Sequence, residues 1–293
     1  MRQDDLDAVK KYLATNFSAV RARNDYGWMK PALNLVDCVL SLNRPYASMV
    51  LPRVQTLARR QPSLISLGDL SDLIQSSGGG GPFLSEHLDY NDKRRGRTLE
   101  GVCAYFQRVA DAQSDATEAE RLHRWAVSVG PQDYLHVRVP GFGPAGFQYF
   151  RMFCGVQTVK PDKYIVEKAT ELTGHPVSAL DAVALFEKAA ASLNLPLREI
   201  DAEIWSAGSG GVVVYGTVPD CARGETTPTR SAKDFIRQTV AETGQFVMAA
   251  GIAAGYKEVT LKTALSDLKN PKYCGSGGIL VLKQVGGGMY VPA

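Results

Sequence analysis

Apolar residues recur at intervals of three and four through the first two-thirds of the chain. In PALNLVDCVLSLNRPYASMVLPRVQTLARR they fall at Leu33, Val36, Val39 and Leu40, then at Val50, Leu51, Val54 and Leu57. That spacing puts one apolar stripe on each of two successive helices. SLGDLSDLI predicts a helix start, with Ser66 ahead of the periodic run. RTLEGVCAYFQRVADAQ predicts another helix. VSALDAVALFEKAAASLNL predicts a further one, capped by Ser178, with a stripe through Leu180, Val183, Leu185, Ala189 and Leu193. SSGGGG at 76–81 is too rich in glycine for regular structure and predicts a loop. Strand-like alternation is scarce before residue 210.

The pattern changes after that point. SAGSGGVVVYGTVPDCARGETTPTR mixes glycine, a β-branched run at 212–215 and a polar stretch, and reads as a connector with one strand. Helices are predicted at 231–243, at 246–254 and at 258–268, with a break at Gly255. GGILVLKQVGGGMYV then reads as a β-hairpin with a glycine-rich tip. Three helices followed by a hairpin is the order of a winged helix. The expected fold is therefore mainly α: a helical domain over 1–208, a connector over 209–230, and a small α/β winged-helix-like domain over 231–293.

Composition narrows the function classes. The 293 residues are 45 % hydrophobic and 22 % charged, as in a globular chain. A net charge of +3 does not by itself announce a nucleic-acid binder, so any basic surface must be local. No apolar run is long enough for a membrane span, and MRQDDLDAVKKYL lacks an apolar signal core. A cytoplasmic protein without membrane contact is expected. The five cysteines are scattered, with no CxxC pair. That leaves a disulfide framework, a zinc site and an iron–sulfur cluster poorly supported, and no cofactor is expected.

VPGFGPAGFQYF carries the first sign of chemistry. Gly141 and Gly143 stand just before Pro144, a residue suited to the first turn of a helix. Helix N-termini present unsatisfied N–H groups and partial positive charge, and glycines ahead of them let a phosphate reach the backbone. With a short helix at 131–137, the segment makes two helices joined by a tight hairpin. A plain interhelix turn is the alternative reading. RMFCGVQTVKPDKYI follows, with a break at Gly155 and an acid at Asp162.

VPGFGPAGFQYFRMFCGVQTVKPDKYI resembles the helix-hairpin-helix and catalytic-aspartate segment of the base-excision DNA glycosylase superfamily. Val139, Pro140, Gly141, Phe142 and Gly143 stand at the positions of that family's LPGVG-type hairpin, and Asp162 at its aspartate. LREIDAEIWSAGSG is similar to the closing helix of such proteins. The similarity covers roughly residues 28–208, and only the hairpin-to-aspartate segment is specific. The context of the acid, VKPD, differs from the more familiar VDTH. The bifunctional members carry a lysine where this chain has Ala145, so the resemblance implies a monofunctional enzyme acting on double-stranded DNA. The four-cysteine cluster that some of those proteins carry is also absent, so no iron–sulfur cluster is expected.

A glycosylase builds positive charge on the sugar, which a fixed carboxylate stabilises. Asp162 is the expected catalytic group, and a helix N-cap is its plainer role. The base must be flipped out. Asn43 in SLNRPY matches the wedge position, with a helix-end cap as alternative, and Tyr26, Trp28 and Tyr46 are pocket or core aromatics. The hairpin residues Gly141, Phe142, Gly143 and Ala145 are expected at the DNA backbone. Arg94 and Arg95 of NDKRRGR, together with Lys160 and Lys163 beside the acid, are expected phosphate contacts. Lys262 belongs to a possible recognition helix, and a protein-packing module is the other reading of that unit. A non-catalytic DNA-binding protein and a helical interaction scaffold are the alternatives to a glycosylase.

Overall fold

A computed structural model describes residues 2–23, 26–112, 115–209, 232–243, 245–247, 258–268, 282–286 and 289–292. These residues are mainly helical and fall into two compact units, divided after Trp205.

Among the described residues the larger unit holds twelve α-helices: α1 (Gln3–Phe17), α2 (Pro31–Leu40), α3 (Leu51–Arg60), α4 (Leu67–Ser76), α5 (Gly80–Leu88), α6 (Lys93–Asp111), α7 (Glu118–Ser128), α8 (Tyr134–Val137), α9 (Pro144–Phe153), α10 (Lys163–Thr173), α11 (Ala179–Leu193) and α12 (Leu197–Ser209), the last crossing the division. A π-helical turn, Tyr46–Val50, leads into α3. Side-chain caps set several starts. Ser66 Oγ accepts the Asp69 N–H at 3.0 Å while Asp69 Oδ2 accepts the Ser66 N–H at 2.8 Å. Ser178 Oγ accepts the Asp181 N–H at 3.1 Å. Both caps stand where the sequence predicts them.

The periodic stripes form two apolar clusters. The first joins α2 to α7 and α9, with Leu33, Val54, Phe83, Phe106, Phe147 and Phe150 fully buried. The second joins α1 to α10, α11 and α12 through Val9, Leu13, Ile165, Phe186 and Ile200. The first helix of the chain thus completes the later cluster. The segment from α9 to α10 passes from one cluster to the other.

The glycine run at 76–81 departs from expectation. Gly80 and Gly81 begin α5, and only 77–79 form the turn. The reason is tertiary. α5 crosses α6 where Gly80 faces Gly96, and a Cβ on either would strike the other's backbone. Close approach, not looping, explains glycine there.

The smaller unit holds α13 (Ala232–Thr243), β1 (Phe246–Val247), α14 (Glu258–Leu268), β2 (Leu282–Gly286) and β3 (Met289–Pro292). The strands form an antiparallel sheet in the order β1-β3-β2, with Phe246 opposite Tyr290 and Gln284 opposite Tyr290 on the other side. Ile236, Val240, Phe246, Leu261, Leu265 and Leu268 make its core. The helix expected at 246–254 starts instead as a strand. Phe246 is buried and pairs with β3, and that pairing outweighs helix propensity. Residues 248–254, the connector at 210–230 and its expected strand at 212–215 lie outside the described residues.

Candidate functional site

The hairpin between α8 and α9 is pinned to α6. Arg138 leaves α8 with φ +52°. The Phe142 N–H donates to Val139 O at 3.1 Å, closing the turn. Thr98 Oγ1 donates to Pro140 O at 2.8 Å, and the Phe142 ring packs edge-on against Phe106 at 5.9 Å. The three glycines have different reasons. Gly141 has φ +88°, and a Cβ there would lie 2.7 Å from Thr98 Oγ1. A Cβ on Gly146 would meet the Phe142 ring at 2.8 Å, where α9 crosses α2. Gly143 has φ −99°, and a Cβ would meet nothing within 4 Å. Gly143 is the N-cap of α9, which has no side-chain cap. Folding requires Gly141 and Gly146 but not Gly143. Gly141→Ala is expected to cost about 1–3 kcal/mol. Gly143→Ala should stay within about 0.5 kcal/mol of the parent. Urea unfolding of both variants checks this.

Asp162 stands at the start of α10. Its Oδ1 accepts the N–H groups of Tyr164 at 2.9 Å and Ile165 at 3.4 Å. The carboxyl is half-buried. Burial pushes its pKa up, against the opposing pull of Lys160, the two N–H groups and Lys163. It is therefore both an N-cap and a fixed carboxyl group whose Oδ2 has no hydrogen-bond partner among the described residues.

A second carboxyl group, Asp201 on α12, is buried and accepts the Lys160 N–H on Oδ1 at 2.8 Å. Burial and the charge of Asp162 push its pKa well above the usual carboxylate range. A third, Asp37 on α2, is fully buried. Its Oδ2 accepts from Trp28 Nε1 and Tyr46 Oη, both at 2.8 Å, and its Oδ1 from Tyr149 Oη at 3.2 Å. Burial raises its pKa too, with those donors and Lys160 working against it. Lys160 is common to all three. Its ammonium donates to Ser41 Oγ at 3.2 Å and lies 4.3 Å from the Tyr149 ring centroid. Tyr46 meets Trp205 edge-on at 6.0 Å. Tyr46, Tyr149, Lys160, Asp162 and Trp205 are half-buried, and a ligand arriving from solvent would meet them first.

Three of the expected DNA contacts are held against the protein itself. Lys160 is half-buried, its ammonium held by Ser41 Oγ and the Tyr149 ring, and its charge acts on all three carboxyl groups. Arg95 caps α2: its guanidinium donates to the carbonyls of Val39, Leu40 (3.2 Å) and Leu42 (2.8 Å) at and just past the helix end. Phe142 is 5 % exposed, so its ring belongs to the core and its N–H to the turn. Arg94 and Lys163 are exposed. Arg94 sits one turn before Thr98, the residue that holds the hairpin. Ala145 lies in the first turn of α9, half-buried. Asn43 is exposed with φ +54°, two residues beyond the Ser41 that meets Lys160. Lys262 is exposed on α14, in the other unit. Trp28 is core, while Tyr26 is half-buried with the Arg198 guanidinium 4.9 Å from its ring.

A family model described as "Domain of unknown function (DUF8548)" matches residues 6–209. The chain belongs to this family. No curated protein and no solved structure matches it. The DUF8548 region contains the whole of the site, from Asp37 to Trp205, and ends with α12. Among the described residues no group of three or more His, Cys, Asp or Glu side chains is placed to hold a metal ion, and no helix is long and apolar enough to cross a membrane.

Sequence reasoning missed Asp37, Ser41, Tyr149, Asp201 and Trp205. Asp37 had a signal: a lone acid inside the apolar run NLVDCVL, a place where a charge survives only if partnered. Asp201 and Trp205 sit in a segment already singled out for its resemblance, but nothing local separates Asp201 from Glu199 or Glu203.

Proposed function

We propose that this DUF8548 protein is a monofunctional DNA glycosylase. It binds double-stranded DNA through the hairpin, takes a damaged or modified base out of the stack and hydrolyses its N-glycosidic bond, leaving an abasic site. The observation that carries this reading is the placement of Asp162. A single connection leads from the hairpin helix α9 to this fixed, half-buried carboxyl, whose Oδ2 has no hydrogen-bond partner among the described residues.

The chemistry follows from that placement. As the glycosidic bond lengthens, the sugar gains positive charge, which the Asp162 carboxylate stabilises before water adds to C1′. Two helix N–H groups hold the carboxylate in place, so little reorganisation accompanies the reaction. Ala145 supplies no amine for a Schiff base, so strand cleavage by β-elimination is not part of the reading. Open space over Gly143 lets a phosphate approach the N–H groups that begin α9. Asn43, held at an exposed turn in a left-handed conformation that asparagine tolerates, is suited to fill the gap left by the base. The β1-β3-β2 sheet with α13 and α14 supports a winged-helix-like reading of the smaller unit, with Lys262 toward phosphate.

The test is base release. The protein is incubated with genomic DNA from several sources, including phages with hypermodified bases, and free bases and abasic sites are measured by mass spectrometry. Release names the substrate and separates repair from phage defence. Binding without release from any DNA favours a non-catalytic hairpin protein, in which Asp162 serves α10 as a cap and nothing more.

The basic residues give a separate check. Arg94→Ala should leave stability unchanged and lower the salt slope of duplex binding by about one. Arg95→Ala should leave that slope alone and destabilise the fold by roughly 1–3 kcal/mol, since it removes the donors to the Leu40 and Leu42 carbonyls. Gly143→Ala is expected to weaken binding about tenfold, one hydrogen-bonded phosphate contact being worth ~1.5 kcal/mol. Fluorescence anisotropy across a salt series reads all three.

A further inference from the structure

The reaction as described leaves Asp201 without a role, although it is bound into the same loop as Asp162. Its Oδ1 takes the Lys160 N–H at 2.8 Å, and the Asp162 N–H returns to Lys160 O at 2.7 Å across Pro161. Each aspartate therefore uses Oδ1 on backbone. Neither Oδ2 has a hydrogen-bond partner among the described residues, and neither is sealed from solvent.

The two carboxyls differ in ways that decide which holds a proton. Asp162 has two N–H donors at a helix start, with Lys160 and Lys163 beside it. Asp201 has one N–H donor, lies deeper, and faces the charge of Asp162. Lys160 acts on Asp201 as well, but its ammonium is turned to Ser41 and the Tyr149 ring and is shared with Asp37. A pair driven apart in this way sheds its first proton from Asp162 and keeps the second on Asp201.

We propose that Asp201 is a second catalytic residue, the carboxylic acid that protonates the departing base while the Asp162 carboxylate stabilises the sugar. The C1′–N bond breaks with its electron pair going to the base. The Oδ2 proton of Asp201 goes to that nitrogen or to a conjugated acceptor of the base. Water then adds to C1′ and gives its surplus proton to the carboxylate pair, restoring the starting state. A built-in acid is needed by a neutral base that leaves poorly. It is superfluous for a cationic alkylated base, which leaves unaided. The substrate class is therefore a neutral base. This inference rests on the glycosylase reading of the site.

The first measurement needs neither DNA nor a variant. Carbon-13 carboxyl NMR on the aspartate-labelled protein should show Asp162 ionising first and Asp201 holding its proton to higher pH. The reverse order overturns the proposal. The second compares duplexes carrying a cationic pyrrolidine abasic analogue with ones carrying neutral tetrahydrofuran, alongside base release. Asp201→Asn keeps an acceptor for the Lys160 N–H. It should lower release roughly a hundredfold, the range of a general acid, and keep the preference for pyrrolidine. Unchanged release, or release and pyrrolidine preference falling together, overturns the acid role, the latter in favour of a clamp on the loop. If the wild-type protein shows no pyrrolidine preference, the glycosylase reading itself fails and this role falls with it, whatever the titration order.

Discussion

Asp162→Asn is expected to lower base release by roughly 10³-fold, the scale on which a preorganised group opposite transition-state charge contributes. The same substitution should abolish any preference for a pyrrolidine abasic analogue over tetrahydrofuran in duplex DNA. The pyrrolidinium carries the charge that the sugar develops, so a carboxylate beside it gains an attraction that an amide does not supply. This second readout requires no knowledge of which base is removed. Stability should hardly change. Asparagine caps a helix about as well as aspartate, and its amide oxygen can still accept the N–H groups of Tyr164 and Ile165. Wild-type discrimination of tenfold or more that disappears in a folded Asp162→Asn variant meets the expectation. Equal binding of both duplexes by the wild type contradicts it.

The largest effect on the fold belongs to Asp37. Asp37→Ala is expected to destabilise the protein by about 3–5 kcal/mol, the range for breaking a buried charged network. Trp28 Nε1, Tyr46 Oη and Tyr149 Oη would lose their common, fully buried acceptor, and Lys160 would lose a counter-charge. Asp37→Asn should cost less, because one amide oxygen still accepts. The carboxyl groups also set a pH dependence. Asp37, Asp162 and Asp201 have folded pKa values raised above those of the unfolded chain. The native state therefore binds more protons than the unfolded one above about pH 4, and stability falls as pH rises through the raised values. Asp69 and Asp92 are shifted down, and Asp5 to about 2, so they act in the opposite sense, and only below about pH 4. Urea unfolding should find the protein more stable at pH 5 than at pH 8. Asp201→Asn should narrow that difference and raise stability at pH 8. A site that is less stable when its acids ionise is one whose charges serve something other than the fold.

What the sequence determined by itself is what neighbours along the chain decide. The apolar periodicity places helices. Ser66 and Ser178 cap them through bonds spanning three residues. Pro144 starts α9, and Gly141 takes the positive φ its turn demands. These are local energies, written in adjacent residue types. Asp162 was legible for the same reason, since its cap reaches only to Tyr164 and Ile165. The tertiary structure decided where long side chains turn. Lys160 and Arg95 read as surface cations, yet one meets Ser41 and the other closes the end of α2. Tyr149 reaches Asp37 across 112 positions of sequence, and Asp201 reaches Lys160 across 41. A flexible cation or a buried acid finds its partner by free energy of contact and desolvation, and that partner exists only once helices distant in the chain have packed.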